Sequence, residues 1–181
     1  MVRDRRTVVG ISPGSRHTGF AVIRNGDLRE WGVKVLHGKR SQKKLEHTKQ
    51  LIVELIDLYD PAALSIKELH PSRRSPYLRA LVSAFKAVAR NRKIPIFEYG
   101  IESLKEEAAT TESINNKLKL AEIMTAKYPV LFRELNEERS HKIPYRVRMF
   151  EAVALADAGS RKLNGHRKTE AIKKAQPNAP L

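Results

Sequence analysis

Between Arg6 and Ile11 the residues are almost all apolar and β-branched (RTVVGI), the pattern of a strand buried on both faces. Ser12-Pro13-Gly14-Ser15-Arg16 breaks that run as a turn. Thr18 to Arg24 (TGFAVIR) predicts a second strand, and Asn25-Gly26 behind it is a strong hairpin signal. From Leu28 to Leu36 (LREWGVKVL) apolar and polar residues alternate, as in a strand with one wet face. The opening therefore reads as a three-stranded antiparallel meander.

The period then lengthens. Leu45, Ile52, Leu55, Ile56 and Tyr59 share one helical face behind Ser41, a capping residue, and Asp60-Pro61 stops the helix. Ala62 to Leu69 (AALSIKEL) predicts a fourth strand. Ser75-Pro76 opens a second helix to about Arg92, and Ile94 to Tyr99 (IPIFEY) predicts a fifth strand. Helical patterns follow near Ile101–Ala109 and Asn115–Lys127, then a connection through Pro129, then a last helix over Tyr145–Leu163. From Asn164 onward the chain is basic, twice interrupted by proline and poor in apolar residues, which predicts a disordered tail over 164–181 behind a single domain over 1–163. The order β-β-β-α-β-α-β implies an α/β fold with a five-stranded mixed sheet, three antiparallel strands and two α-crossovers, flanked by helices.

Composition narrows the chemistry. There is no cysteine among the 181 residues, so neither disulfides nor thiolate metal sites can form. The apolar run behind Arg3, Arg5 and Arg6 is too short for a signal peptide or a spanning helix, so a cytoplasmic protein away from membranes is expected. The net charge is +15, with 35 Lys and Arg against 20 Asp and Glu, and the cations are clustered, which favours a polyanionic partner such as nucleic acid. Lys39, Arg40, Lys43 and Lys44 stand at the start of the first helix. His70, Arg73, Arg74, Tyr77 and Arg79 lie along the loop and helix start behind the fourth strand, and Arg16 and His17 follow the first strand. Arginine forks, hydroxyls and a tyrosine suit phosphate and base contacts. The six histidines show no metal-ligand spacing.

Three segments carry a resemblance. Gly10-Ile11-Ser12-Pro13-Gly14-Ser15 followed by Thr18-Gly19 resembles the first-strand motif of RuvC-type Holliday-junction resolvases, where the third position is aspartate. Ala63-Leu64-Ser65-Ile66-Lys67-Glu68 is similar to that family's fourth strand, where a glutamate follows an apolar pair. Phe150-Glu151-Ala152-Val153-Ala154-Leu155-Ala156 resembles its final helix, where aspartates precede a small-residue run. Together they span roughly Thr7 to Leu163 in the family's order, and the predicted strand order matches the ribonuclease-H-like fold. A strand-turn of similar form occurs in actin-like and sugar-kinase ATPases, but those need two such domains and this chain has room for one.

The resemblance implies a metal-dependent nuclease that hydrolyses phosphodiesters with two divalent ions held by carboxylates. At the matching positions stand Ser12, Lys67, Arg148 and Glu151, so three of the four acids are replaced, two of them by cations. Glu68 is adjacent to Lys67, but strand alternation turns it away from Ser12. Glu98 lies outside the motif, and Asp157 is about 9 Å along the helix from Glu151. The expectation is a RuvC-like protein that binds branched or structured DNA with nuclease activity lost or altered, no resident cofactor, and Glu151 paired with Lys67 or Arg148. The resemblance also implies a homodimer. Three alternatives stay open: a magnesium- or manganese-dependent junction resolvase, using Glu68, Glu98, Glu151 or Asp157, an RNA- or ribosome-associated binding protein, and a purely structural protein-interaction module.

Overall fold

A computed structural model describes residues 4–35, 37–39, 41–73, 75–100, 102–104, 117–140 and 146–175, with the backbone alone at 4–5, 73, 117 and 166–175. Strands β1 (Asp4–Ser12), β2 (His17–Arg24), β3 (Asp27–Val35), β4 (Pro61–Lys67) and β5 (Ile96–Tyr99) form one sheet in the order β3-β2-β1-β4-β5. The first three are antiparallel neighbours, while β4 and β5 join in parallel through the helices α1 (Gln42–Tyr59) and α2 (Pro76–Asn91). This is the five-stranded mixed arrangement the sequence predicts.

The strand pleat divides the molecule into three layers. Val9, Ile11, Val22, Leu64 and Ile66 point to one face and pack with Ile52, Leu81 and Phe85 of α1 and α2. Residues of opposite parity, such as Ala21 and Ile23, meet the other layer: α3 (Lys117–Lys127), α4 (Phe132–Ser140) and α5 (Val147–Ala175). Both capping serines act as expected, Ser41 Oγ accepting from Lys44 N and Ser75 Oγ from Leu78 N, at 3.2 Å each.

Helix α5 positions the site, and small residues let it come close. Residues 151–160 are all buried, so this stretch is enclosed on every side rather than amphipathic. A Cβ on Gly10 would overlap the Ala152 carbonyl oxygen, and one on Gly19 the Arg148 carbonyl, so the helix backbone rests directly on β1 and β2. The helix runs on to Ala175, beyond the end near Leu163 that the sequence predicts. Gly165 lies inside it, where glycine costs about 1 kcal/mol relative to alanine without ending the helix. Helix α4 is a further departure, since the sequence reading has only a connection there. Its buried face is little more than Leu135 and Glu138, too sparse to show a period, and Trp31 Nε1 donates to Glu134 Oε1 at 3.2 Å to hold it against β3. No described helix is long and apolar enough to cross a membrane.

Candidate nucleic-acid interface

Ile11 pairs with Ile66 in the parallel register, so Ser12 and Lys67, one residue further, end adjacent strands side by side on the α5 face. The first turns of α5 bring Arg148 and Glu151 over them, one turn apart. Four residues separated by up to 139 positions in sequence thus converge at one point.

Glu151 is the hub. Its side chain is 1% exposed; Oε2 accepts from Ser12 Oγ at 2.6 Å, and Oε1 accepts from Lys67 Nζ at 2.6 Å. Arg148 Nη1 reaches Glu151 Oε2 at 3.3 Å and Ser12 Oγ at 3.4 Å. Burial alone would push the Glu151 carboxyl up, but the Lys67 ammonium, the Arg148 guanidinium and the hydrogen bonds from Lys67 and Ser12 outweigh it and hold it below the usual carboxylate range. It is a carboxylate. The sequence reading asks for a partner in Lys67 or Arg148, and both are partners.

Lys67, Arg148 and Glu151 line a cleft of about 480 Å³ at the carboxyl ends of β1 and β4, with Pro13, His70 and Ser72 around them. Glu68 lines the same cleft, although alternation turns it away from Ser12. The strand ends at Lys67, and the pleat rule ends with it. Glu102, unforeseen in sequence, is also at the wall. The signal for it was topological: it leaves β5, and loops behind parallel strands share one edge of the sheet.

Hard divalent ions require several oxygen ligands. Only one of the four clustered side chains is a carboxylate, both its oxygens already accept from donors, and two cations stand against it. This donor set does not fit magnesium or manganese. Among the described residues no three of His, Asp and Glu gather as a metal site. Glu98 is paired with Lys86 Nζ at 2.6 Å, away from the cleft. Asp157 is buried in a separate network with Tyr128, Lys127 and Arg161.

Of the basic residues that the sequence singles out for nucleic-acid contacts, only His70 lines this cleft among the described ones. His17 sits where burial, then the charges of Arg148, Arg16, His37 and Lys44, depress its proton affinity. Lys44 Nζ bonds the Gly38 carbonyl at 3.2 Å and lies 6.0 Å from the Tyr77 ring centre. The Tyr77 hydroxyl is buried without a hydrogen-bond partner among the described residues. His70 Nδ1 meets Ser72 Oγ at 2.6 Å on the cleft rim. Lys39, Lys43 and Arg79 are exposed. Arg40, Arg74 and the Arg73 side chain lie outside the described residues.

The family described as Crossover junction endodeoxyribonuclease RuvC matches residues 8–127, ending before α5. The chain is 29% identical over 111 residues to the crossover junction endodeoxyribonuclease RuvC of Photorhabdus laumondii, covering 58% of this chain and 64% of that protein. It is 26% identical over 125 residues to the Haemophilus ducreyi protein of the same name, covering 65% of each. These matches span slightly under two thirds of the relatives' length. Among solved structures, T. thermophilus RuvC in complex with Holliday junction substrate superposes with a TM-score of 0.66 at 17% identity, over 89% of this chain and 95% of that one. The yeast mitochondrial Holliday junction resolvase Ydc2 gives 0.66 at 14%, over 93% and 84%. At such identities the likeness shows the RuvC-like, ribonuclease-H-like fold.

Proposed function

Because the chain belongs to the RuvC family of crossover junction endodeoxyribonucleases, we propose that it binds branched DNA, the four-way junction above all, and does not cut it through a two-ion centre. One observation carries this reading: at the sheet end where carboxylates would gather, Lys67 and Arg148 close on the single buried carboxylate of Glu151. A divalent ion brought there would meet two fixed cations, and water would find no metal to activate it. What the residues offer instead is a cluster of two cations and one carboxylate at a cleft, with Arg148 also close enough to act on His17 beside Arg16 and Lys44. Such a surface holds backbone phosphates and releases counterions from the DNA. Two copies related by a two-fold axis would suit a four-way junction, as the family resemblance implies.

Family membership favours a second reading, a metal-dependent junction resolvase. It would need ligands beyond Glu151, and Glu68 is the carboxylate in the same cleft that lies beside a motif position. The deciding experiment incubates the purified chain with four-way junction, duplex, single-stranded DNA and structured RNA, with magnesium, with manganese and with chelator. Retention of the junction without nicking above a protein-free control is expected. Structure-specific nicking that disappears in Glu151→Ala would establish the resolvase reading instead, and preferential retention of RNA would redirect the function to RNA binding.

A further inference from the structure

Arg148 is a cation in excess of what its partner requires. Glu151 already has a short bond from Lys67 Nζ on one oxygen and from Ser12 Oγ on the other, both at 2.6 Å. Arg148 adds longer contacts, at 3.3 and 3.4 Å, through Nη1 alone among the described residues. A guanidinium carries five N–H donors in a rigid fork, so most of its donor capacity remains. Its side chain is 28% exposed and lines the cleft, whereas Lys67, at 16%, is more enclosed. With two cations against one carboxylate, the cluster carries one positive charge in surplus, and the exposed part of that charge is the arginine.

The surroundings orient what can be bound. Arg148 lies over Gly14, with Nε 3.2 Å from where a Cβ on that residue would be, so the missing side chain leaves the guanidinium room beside the turn after β1. On this side the charges of Arg16 and Lys44 act on His17, and burial together with these cations keeps its imidazole in the neutral form. The same cleft is lined by Glu68 and Glu102, both exposed. Arg148 is the one arginine among the described residues that line the cleft. Planar bidentate recognition by arginine matches a phosphodiester's two free oxygens.

We infer that Arg148, braced by Ser12 and Glu151 and freed for a ligand by Lys67, is an anchor for one phosphodiester that works without a divalent ion. This rests on the reading that the chain binds nucleic acid, and it names the atoms that would do so. Ser12, Lys67 and Glu151 are positioning residues in this account. Inorganic phosphate shares the ligand chemistry, so both sources enter the test.

The experiment measures junction affinity against salt for the wild type, Arg148→Gln and Arg148→Lys, in magnesium and in chelator at matched ionic strength. The wild type should bind equally within about two-fold in both, since no ion bridges the contact. Arg148→Gln should weaken binding about ten-fold and flatten the log–log salt slope by about 0.9, the signature of one lost phosphate contact. Arg148→Lys should keep the slope and recover part of the affinity. Thermal melts establish that the variants fold. On unaltered protein, phenylglyoxal labelling read by mass spectrometry should show Arg148 protected by junction DNA in chelator, and more weakly by inorganic phosphate. A wild type that retains no nucleic acid overturns the functional reading itself. A wild type that binds while Arg148 labels at the free rate, or that binds only with magnesium, overturns the anchor and leaves that reading standing. Protection by inorganic phosphate but not by DNA would make this a small-anion site and overturn the anchor as well.

Discussion

Two buried carboxylates hang from α5, and each is met by one hydroxyl, one lysine and one arginine. Glu151 has Ser12, Lys67 and Arg148; Asp157 has Tyr128 Oη at 2.6 Å, Lys127 at 2.7 Å and Arg161 at 3.2 Å. The inventories are nearly the same, but the settings differ. Asp157 sits where α3 crosses α5, and its hydroxyl partner is a tyrosine whose own proton is held more tightly by burial and then by that carboxylate. Its lysine and arginine are nearly half exposed, so that cluster fastens two helices and fades into solvent. Around Glu151 the cations come from a strand end and a helix start, are more enclosed, and face a cleft. Ion-pair chemistry alone does not separate a fastening from a binding floor. What lies on the other side of the cations does.

The sharpest way to break this contrast is to remove each hub. Glu151→Ala should cost about 3–5 kcal/mol in chemical denaturation, because it leaves enclosed cations unpaired. The same carboxylate governs an acid limb. Its folded-state pKa is depressed below the ordinary value near 4.5, so its stabilisation is present above that value and is lost as pH falls from there through the folded value. Glu151→Gln should flatten stability against pH below about 4.5, and an unchanged acid limb would show that the carboxylate is not held as described.

Next in size comes a reconstruction. The triple variant Ser12→Asp, Lys67→Glu, Arg148→Asp places four carboxylates at the floor and should gain thermal stability with manganese. The gain should be about 2.7 kcal/mol at a hundred-fold excess over Kd, while the wild type gains none. No ion-dependent shift in the variant would mean that the scaffold itself, not only its side chains, differs from a metal centre. Asp157→Asn should cost less than either, about 1–2 kcal/mol, since its cations can rehydrate and the amide oxygen still accepts from Tyr128. An equal loss at Asp157 and Glu151 would erase the distinction between the two regions. The smallest effect is expected for Arg161→Ala, below about 1 kcal/mol and vanishing at high salt, measured by denaturation across ionic strengths.

Much of this was legible in the chain. The β-branched runs mark β1 and β4, Ser41 and Ser75 mark helix starts, and the small-residue run from Ala152 marks a helix pressed against the sheet. The convergence of Ser12, Lys67, Arg148 and Glu151 followed from the order of three motifs. The Asp157–Tyr128 bond did not, because it joins residues 29 apart that belong to no local pattern. Glu102 was likewise invisible, since its place depends on a strand edge rather than a motif. Asn164-Gly165 resembles a helix stop, yet Lys, Glu and Ala residues around and beyond it are good helix formers, and the helix continues.

The contact between α5 and the first two strands has a consequence for how such a protein is recognised at all. Gly10 and Gly19 are required because helix backbone occupies the space where their side chains would be. Neither touches a ligand or moves a proton. Both belong to the stretch that most resembles the nuclease family, so agreement there reports that a helix fits against a sheet. Ser12, between them, puts a shorter, neutral hydroxyl where the family motif has a carboxylate, and it still finds a partner on the helix in Glu151. Shape and reactivity are therefore written in separate letters of the same motif, and a chain can be recognised by the first while its chemistry is decided by the second.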